Sequence, residues 1–412
     1  MLCLIFNCIL PIKKHILKYM KVYIKNQRSK TMKRIISLII SVSVIFGTVA
    51  TAEGENAPEL NIDARAAILI EQESGTVMYE MNSDEQMPIA SVTKIMTMLL
   101  IMEAVDSGQI ALDDMVTVSE NAMSYGGSTM FLETGEKLSV NDMLKGIAVA
   151  SANDGCVAMA EFLAGSEDAF VDMMNKKAAE LGMKNTHFMN TNGLDEDNHF
   201  SSARDVAIMS RELLKHKTIF NYTSIWMDTL RGGKFQLANT NKLIRYYDGA
   251  NGLKTGSTSK ALCCLSASAK RDDMQLIAVI LGAPTSQKRF DGARTLLDYG
   301  FATYTVSNQV TAGDNMGTVP VEKGITGEVG AIAAEGYSAL LKKGSTEAIE
   351  KEIDWYENIT APVAAGDKVG TLKITQNGEI LAEIDLNAVS EVKKKGIGDI
   401  IRDLLLSVFF GI

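Results

Sequence analysis

Pro88-Ile89-Ala90-Ser91-Val92-Thr93-Lys94, continued by the apolar run Ile95 to Val105, is the stretch on which the reading of this chain turns. The run has no polar stripe and is too short to cross a bilayer. It predicts a helix buried in a core, opened by Ser91 and closed at Gly108. Residues three apart on a helix share a face, so Ser91 and Lys94 point into the same space. A serine hydroxyl is a weak nucleophile until a neighbour takes its proton. A helix N-terminus favours developing negative charge. Lysine can serve as the base only if its pKa falls toward neutrality, and burial and nearby positive charge both push that way.

Two further motifs follow in order, Ser151-Ala152-Asn153 and Lys254-Thr255-Gly256. Each is weak alone. Ser-x-x-Lys recurs at Ser257-Thr258-Ser259-Lys260, but the reading puts that copy in a strand, where i and i+3 face opposite sides. Ser-x-Asn recurs at Ser119-Glu120-Asn121 and at Ser139-Val140-Asn141, the latter better read as a helix cap. Ser151-Ala152-Asn153 stands out because it interrupts two apolar helices, where polar side chains are forced into a cavity. The ordered set describes serine acyl transfer with lysine as base.

The chain has 412 residues, 46% hydrophobic and 22% charged, which allows a large core and more than one domain. Its formal charge of -9 mixes two regions. Residues 1–52 hold nine of the 41 Lys and Arg and no acid, leaving 32 against 50 acidic residues, a balance of -18. A body this acidic is a poor partner for nucleic acid. Residues 1–52 read as a leader: Met32-Lys33-Arg34 is a positive n-region and Ile35 to Phe46 an apolar h-region. Ala50-Thr51-Ala52 suits cleavage near Glu53. Met32 is the expected true start. An uncleaved N-terminal anchor is the alternative. The five cysteines and four histidines form no CxxC, Cys/His cluster or HExxH pattern. The reading therefore includes no metal and no cofactor.

Along the chain, Ala66 to Gln72 and Val77 to Met81 read as a hairpin. Ser139 starts a helix to Ala150, and a second runs from Asp154 to Leu163. Residues 187–203 are loop-like and Asp205 to His216 helical. Leu253 to Ser259, Ala261 to Ala269 and Met274 to Leu281 read as strands, then Ser286 to Tyr299 as a helix. The expected fold is α+β: an antiparallel sheet flanked by helices over 53–303, followed by a small all-β domain over 304–388. In that domain Asn377-Gly378 marks a hairpin. Residues 389–412 form a tail. There Ile397, Ile400, Ile401, Leu404, Leu405 and Val408 build one helical face behind Lys393-Lys394-Lys395. That pattern predicts an amphipathic helix in a membrane interface, or one docked on the β domain.

These residues resemble the low-molecular-mass penicillin-binding proteins, the serine D-alanyl-D-alanine carboxypeptidases, over about residues 60–304. Gly127-Ser128-Thr129-Met130-Phe131-Leu132, Thr191-Asn192-Gly193-Leu194-Asp195 with His199, and Asp248 to Gly256 look like family text. The resemblance implies a β-lactamase/penicillin-binding-protein-like catalytic domain acting on the D-Ala-D-Ala end of peptidoglycan stem peptides. It also implies covalent reaction with β-lactam antibiotics. It implies that Ser91 is acylated, Lys94 takes its proton, Ser151 relays a proton to the leaving D-alanine, and Asn153 holds the substrate amide and Lys94. Lys254 and Thr255 then meet the terminal carboxylate. On physical grounds a lysine beside a hydroxyl suits a carboxylate, and Gly256 removes a Cβ from the substrate's path. The N–H groups of Ser91 and Ser257 are the expected oxyanion donors. His199 is set aside as structural. The implied location is exported, at the outer face of the cytoplasmic membrane or secreted.

Two rival readings remain. A class A-like β-lactamase would need a further glutamate for deacylation. The 187–205 loop offers only Glu196, outside a Glu-x-x-Leu-Asn pattern. A catalytically inactive wall-binding protein would not need Ser91, Lys94, Ser151 and Lys254 all intact.

Overall fold

A computed structural model describes residues 60–345 and 348–410. The leader over 1–52, with its Met32 start and cleavage site, lies outside the described residues.

Period-two alternation builds the central sheet. In β1 (Ala66–Glu71), Ala66, Ile68 and Ile70 enter one core while Ala67 and Leu69 enter another. β2 (Val77–Met81) returns beside it. Two short two-stranded sheets follow that the sequence pattern does not predict: β3 (Met115–Thr117) with β4 (Lys137–Ser139), and β5 (Met227–Leu230) with β6 (Phe235–Ala238). β7 (Ala250–Thr258), β8 (Leu262–Arg271) and β9 (Met274–Ala283) complete a five-stranded antiparallel sheet in the order β2-β1-β9-β8-β7. β9 is buried at every position, as a central strand covered on both faces must be. Helix Ser286–Thr303 covers one face through Phe290, Leu296 and Leu297. Helices Lys94–Asp106, Asn153–Ala164 and Ala203–Leu213 cover the other.

The Lys94–Asp106 helix is apolar all round and buried along most of its length, as expected for a core helix. Its first turn, Ala90–Thr93, is a tighter 3-10 turn. Ser139 caps helix Val140–Lys145, accepting from the Asp142 N–H at 3.1 Å. That helix differs from expectation near its end. The α-helical part stops at Lys145 and Gly146–Ala150 widens into a π turn. Ser151 then adopts φ 64° and Asn153 opens the following helix. Helix Glu167–Glu180, capped by Ser166, was also absent from the sequence reading, although Phe170, Val171, Met174 and Ala178 carry its helical spacing.

After the Ser286–Thr303 helix the chain turns all-β. β10 (Tyr304–Val310) pairs with β13 (Tyr337–Lys342). β11 (Asn315–Pro320), β12 (Glu328–Ala333), β14 (Ile349–Trp355), β15 (Lys368–Gln376) and β16 (Glu379–Ala388) form a second sheet in the order β11-β12-β16-β15-β14. Asn377 and Gly378, at φ 52° and 81°, make the tight turn between β15 and β16. β10, β13 and β14 were not anticipated. In β14, Ile349, Ile353 and Trp355 alternate with Glu350, Glu352 and Asp354, and Lys351 on the inward face interrupts the apolar series.

Helix Ile397–Phe410 closes the described chain. Its apolar face is open: Ile397 is 80% exposed, Val408 70% and Leu404 63%. The docked alternative is therefore not the observed arrangement. Asp403 on the opposite side pairs with Lys395 at 2.8 Å. Among the described residues, no helix is long and apolar enough to cross a membrane.

Candidate active site

The turn before the Lys94–Asp106 helix holds Ser91, half-buried, directly over Lys94, fully buried. Lys94 Nζ reaches three oxygens: Ser91 Oγ at 2.9 Å, Asn153 Oδ1 at 2.7 Å and the Asn192 carbonyl at 2.6 Å. As an ammonium it donates to all three. Once it loses a proton, the two N–H groups that remain satisfy Asn153 and Asn192, and the lone pair is left for Ser91. Burial lowers the Lys94 pKa to about 8, against the opposing pull of the Asp154 carboxylate. Burial is thus the leading cause of the shift.

Asn153 is itself held. Its Nδ2 donates to the Gly126 carbonyl at 2.8 Å and its backbone N–H to the Ser128 carbonyl at 2.7 Å. Asp154 accepts from the Met130, Leu132 and Gly155 N–H groups, pinning the 126–132 segment to the same helix start. Ser151, buried in the kink, makes no side-chain hydrogen bond to Ser91, Lys94 or Lys254 among the described residues.

β7 forms the opposite wall. Lys254 is buried, and its Nζ donates to the Thr255 carbonyl at 3.0 Å. Burial first, then the charges of Lys94 and Arg289, push its pKa well below the ordinary lysine value. Arg289 is also buried and donates to the Gly256 carbonyl at 3.0 Å. None of Lys94, Lys254 and Arg289 has an ion-pair partner among the described residues, and this excess of buried positive charge favours an anion nearby. Thr255 Oγ1 lies 2.6 Å from Thr240 Oγ1. Gly256 has a tighter reason to be glycine than room for substrate. A Cβ there would lie 2.7 Å from the Ile89 carbonyl and 2.9 Å from the Ser91 nitrogen. The strand and the nucleophile turn touch at this point, which brings Ser257, the next residue, up to the same turn.

Several participants were invisible as single letters. Asn192 acts through its backbone oxygen, Thr240 lies outside the three motifs, and Arg289 comes from a distant helix. Only Asn192 fell within a segment the resemblance had marked. The second Ser-x-x-Lys is set aside by a different fact than expected. Ser259 and Lys260 occupy the β7–β8 turn, and Lys260 pairs with Asp197 at 3.4 Å. Glu196 is exposed and accepts from Asn190 Nδ2 at 3.3 Å, so the loop supplies no carboxylate to Ser91 or Lys94.

Comparison with known proteins identifies relatives over most of the chain. Residues 51–285 match the family model described as D-alanyl-D-alanine carboxypeptidase (peptidase S11). Residues 304–394 match the C-terminal domain of penicillin-binding protein 5. The chain is 46% identical to D-alanyl-D-alanine carboxypeptidase DacF of Bacillus subtilis (strain 168), covering 89% of this chain and 96% of that protein. It is 34% identical to DacC of Escherichia coli (strain K12), over 89% and 93%. Among solved structures, penicillin-binding protein 5 from Haemophilus influenzae superposes with a TM-score of 0.70 at 32% identity, over 81% of this chain and 99% of that one. Penicillin-binding protein D2 from Listeria monocytogenes, in its ampicillin-bound form, matches with a TM-score of 0.55 at 33% identity, over 59% and 100%. With the Ser91–Lys94–Asn153 network in one domain and the all-β domain after it, the chain belongs to the D-alanyl-D-alanine carboxypeptidase family of serine peptidases.

Proposed function

We propose that this enzyme removes the terminal D-alanine from peptidoglycan pentapeptide through an ester on Ser91. The observation that carries the reading is the buried Lys94 amine, held 2.9 Å from Ser91 Oγ with its other two hydrogen bonds already assigned. Lys94 takes the hydroxyl proton as Ser91 Oγ bonds to the carbonyl carbon of the penultimate D-alanine. The N–H groups of Ser91 and Ser257 receive the oxyanion. The peptide C–N bond then breaks, and Ser151 passes a proton to the leaving D-alanine nitrogen. Water hydrolyses the ester and restores Ser91. Asn153 holds Lys94 and the substrate amide, while Lys254 and Thr255, with Gly256 and Ser257 lining the strand edge, receive the terminal carboxylate. Penicillins acylate the same serine in this scheme.

The carboxylate role has a direct test. A peptide ending in an amide should be cut with a specificity constant about ten- to a hundredfold lower than the acid, the loss of one charge-assisted contact. Equal rates would remove Lys254 from that role.

We place the catalytic domain at 53–303, the β domain at 304–388 and the tail at 389–412, whose first residues, through Lys395, pair with the β domain before the helix begins. The leader motif supports export, and the open apolar face of the tail helix supports attachment to the outer face of the cytoplasmic membrane. A class A-like β-lactamase reading has no observation in its favour, since the one glutamate it could use is exposed and bonded to Asn190.

A further inference from the structure

A chain of hydrogen bonds runs beneath the nucleophile turn, and the chemistry above makes no use of it. Ala90 stands directly before Ser91 with φ 48°, in the left-handed region. That conformation is strained for a residue bearing a Cβ, so the surroundings must hold it. The Thr93 hydroxyl donates to the Ala90 carbonyl at 2.8 Å. With its one proton committed there, Thr93 Oγ1 can only accept from its other neighbour, His199 Nε2, also at 2.8 Å. The histidine is set for this. The Met189 N–H donates to His199 Nδ1 at 3.1 Å, so Nδ1 is bare and Nε2 carries the proton. Thr93 and His199 are both buried. Gly193, at φ 87°, presses on the same oxygen: a Cβ there would lie 1.9 Å from it.

The peptide joining Ala90 to Ser91 is planar and trans, so its C=O and N–H point in opposite directions. Whatever fixes the Ala90 oxygen therefore aims the Ser91 N–H. We infer that His199 and Thr93 are positioning residues, whose relay to the Ala90 oxygen holds the strained Ala90–Ser91 peptide and aims its N–H as an oxyanion donor. The inference rests on the reading of Ser91 as nucleophile. Neither side chain meets the reacting atoms; both act through one peptide plane. A misaimed donor loses charge that develops only in the transition state, so the effect falls on kcat and on acylation rather than on KM.

Four variants of the full chain test this: Thr93→Val, Thr93→Ser, His199→Gln and His199→Asn. For each, the penicillin acylation rate, kcat and KM on a D-Ala-D-Ala peptide, and Tm are measured, with Ser91→Ala in parallel. Thr93→Val is nearly isosteric but lacks the hydroxyl, and should lower acylation and kcat by about tenfold or more with KM nearly unchanged. Thr93→Ser should restore both. His199→Gln can place an N–H donor near the Nε2 position and should stay well above His199→Asn, whose shorter amide cannot reach Thr93. If Thr93→Val fails to fold, the ordering of the two His199 variants decides. Wild-type kcat in Thr93→Val, or equal rates in the two His199 variants with only Tm reduced, would overturn the inference. Labelling that survives in Ser91→Ala would instead fault the nucleophile assignment.

Discussion

Lys94 has to be an amine before it can take a proton from Ser91. Its pKa of about 8 sets the sign of the pH dependence. Below that pH the ammonium is the major form and uses all three of its donors. As pH rises through about 8 the amine fraction grows, so the penicillin acylation rate should climb roughly tenfold per unit on the acid side and then level off. A flat profile between pH 6 and 10 would mean that Lys94 acts only as a fixed charge. Lys94→Arg keeps a cation that cannot give up its proton, and should be nearly inactive in the same assay. At this scale the sequence was informative about side chains and silent about backbone. Ser91, Lys94 and Asn153 declared themselves by spacing. The Asn192 oxygen and the Ala90 carbonyl did not, because any residue has a carbonyl and loop geometry decides where it points; the Thr240–Thr255 hydroxyl contact did not, because Thr240 lies outside the three motifs.

Elements meet most closely where β7 crosses the start of the Lys94–Asp106 helix. A methyl group at Gly256 would press on the Ile89 carbonyl and the Ser91 nitrogen, both backbone atoms that cannot swing away. Gly256→Ala should cost about 1–3 kcal/mol in denaturant unfolding and slow acylation as well. Unchanged stability and labelling would show that the turn and the strand have slack between them. Elements were legible where a periodicity was clean: β1, β8, β9 and the apolar Lys94–Asp106 helix follow the pattern closely. They were hidden where a lysine interrupted a short apolar alternation, as in β14, or where three or four residues are a strand only because a neighbour pairs with them, as in β3 and β5. The π turn at Gly146–Ala150 has no sequence signature of its own, although the motif it delivers, Ser151-Ala152-Asn153, was found.

At the scale of the whole molecule, the tail poses the open test. The apolar face of helix Ile397–Phe410 is solvent-facing, but the lysines ahead of it are not free chain. The Ile325 N–H donates to the Lys393 carbonyl at 2.8 Å, and the Lys395 N–H to the Lys323 carbonyl at 2.8 Å. A cut after Val392 would strip that pairing from the β domain, so the cleaner truncation falls after Gly396. That shortened protein should leave the membrane fraction while its Tm and its cleavage of soluble peptide stay near wild type. Continued sedimentation with membranes would contradict anchoring by this helix. The central claim, serine acyl transfer at Ser91, is tested most directly by intact-protein mass spectrometry after incubation with penicillin, with D-alanine release measured on the same samples. Wild-type protein should gain one penicilloyl group and release D-alanine, and Ser91→Ala should do neither. A full-strength adduct on Ser91→Ala, or undiminished release of D-alanine by it, would contradict the account.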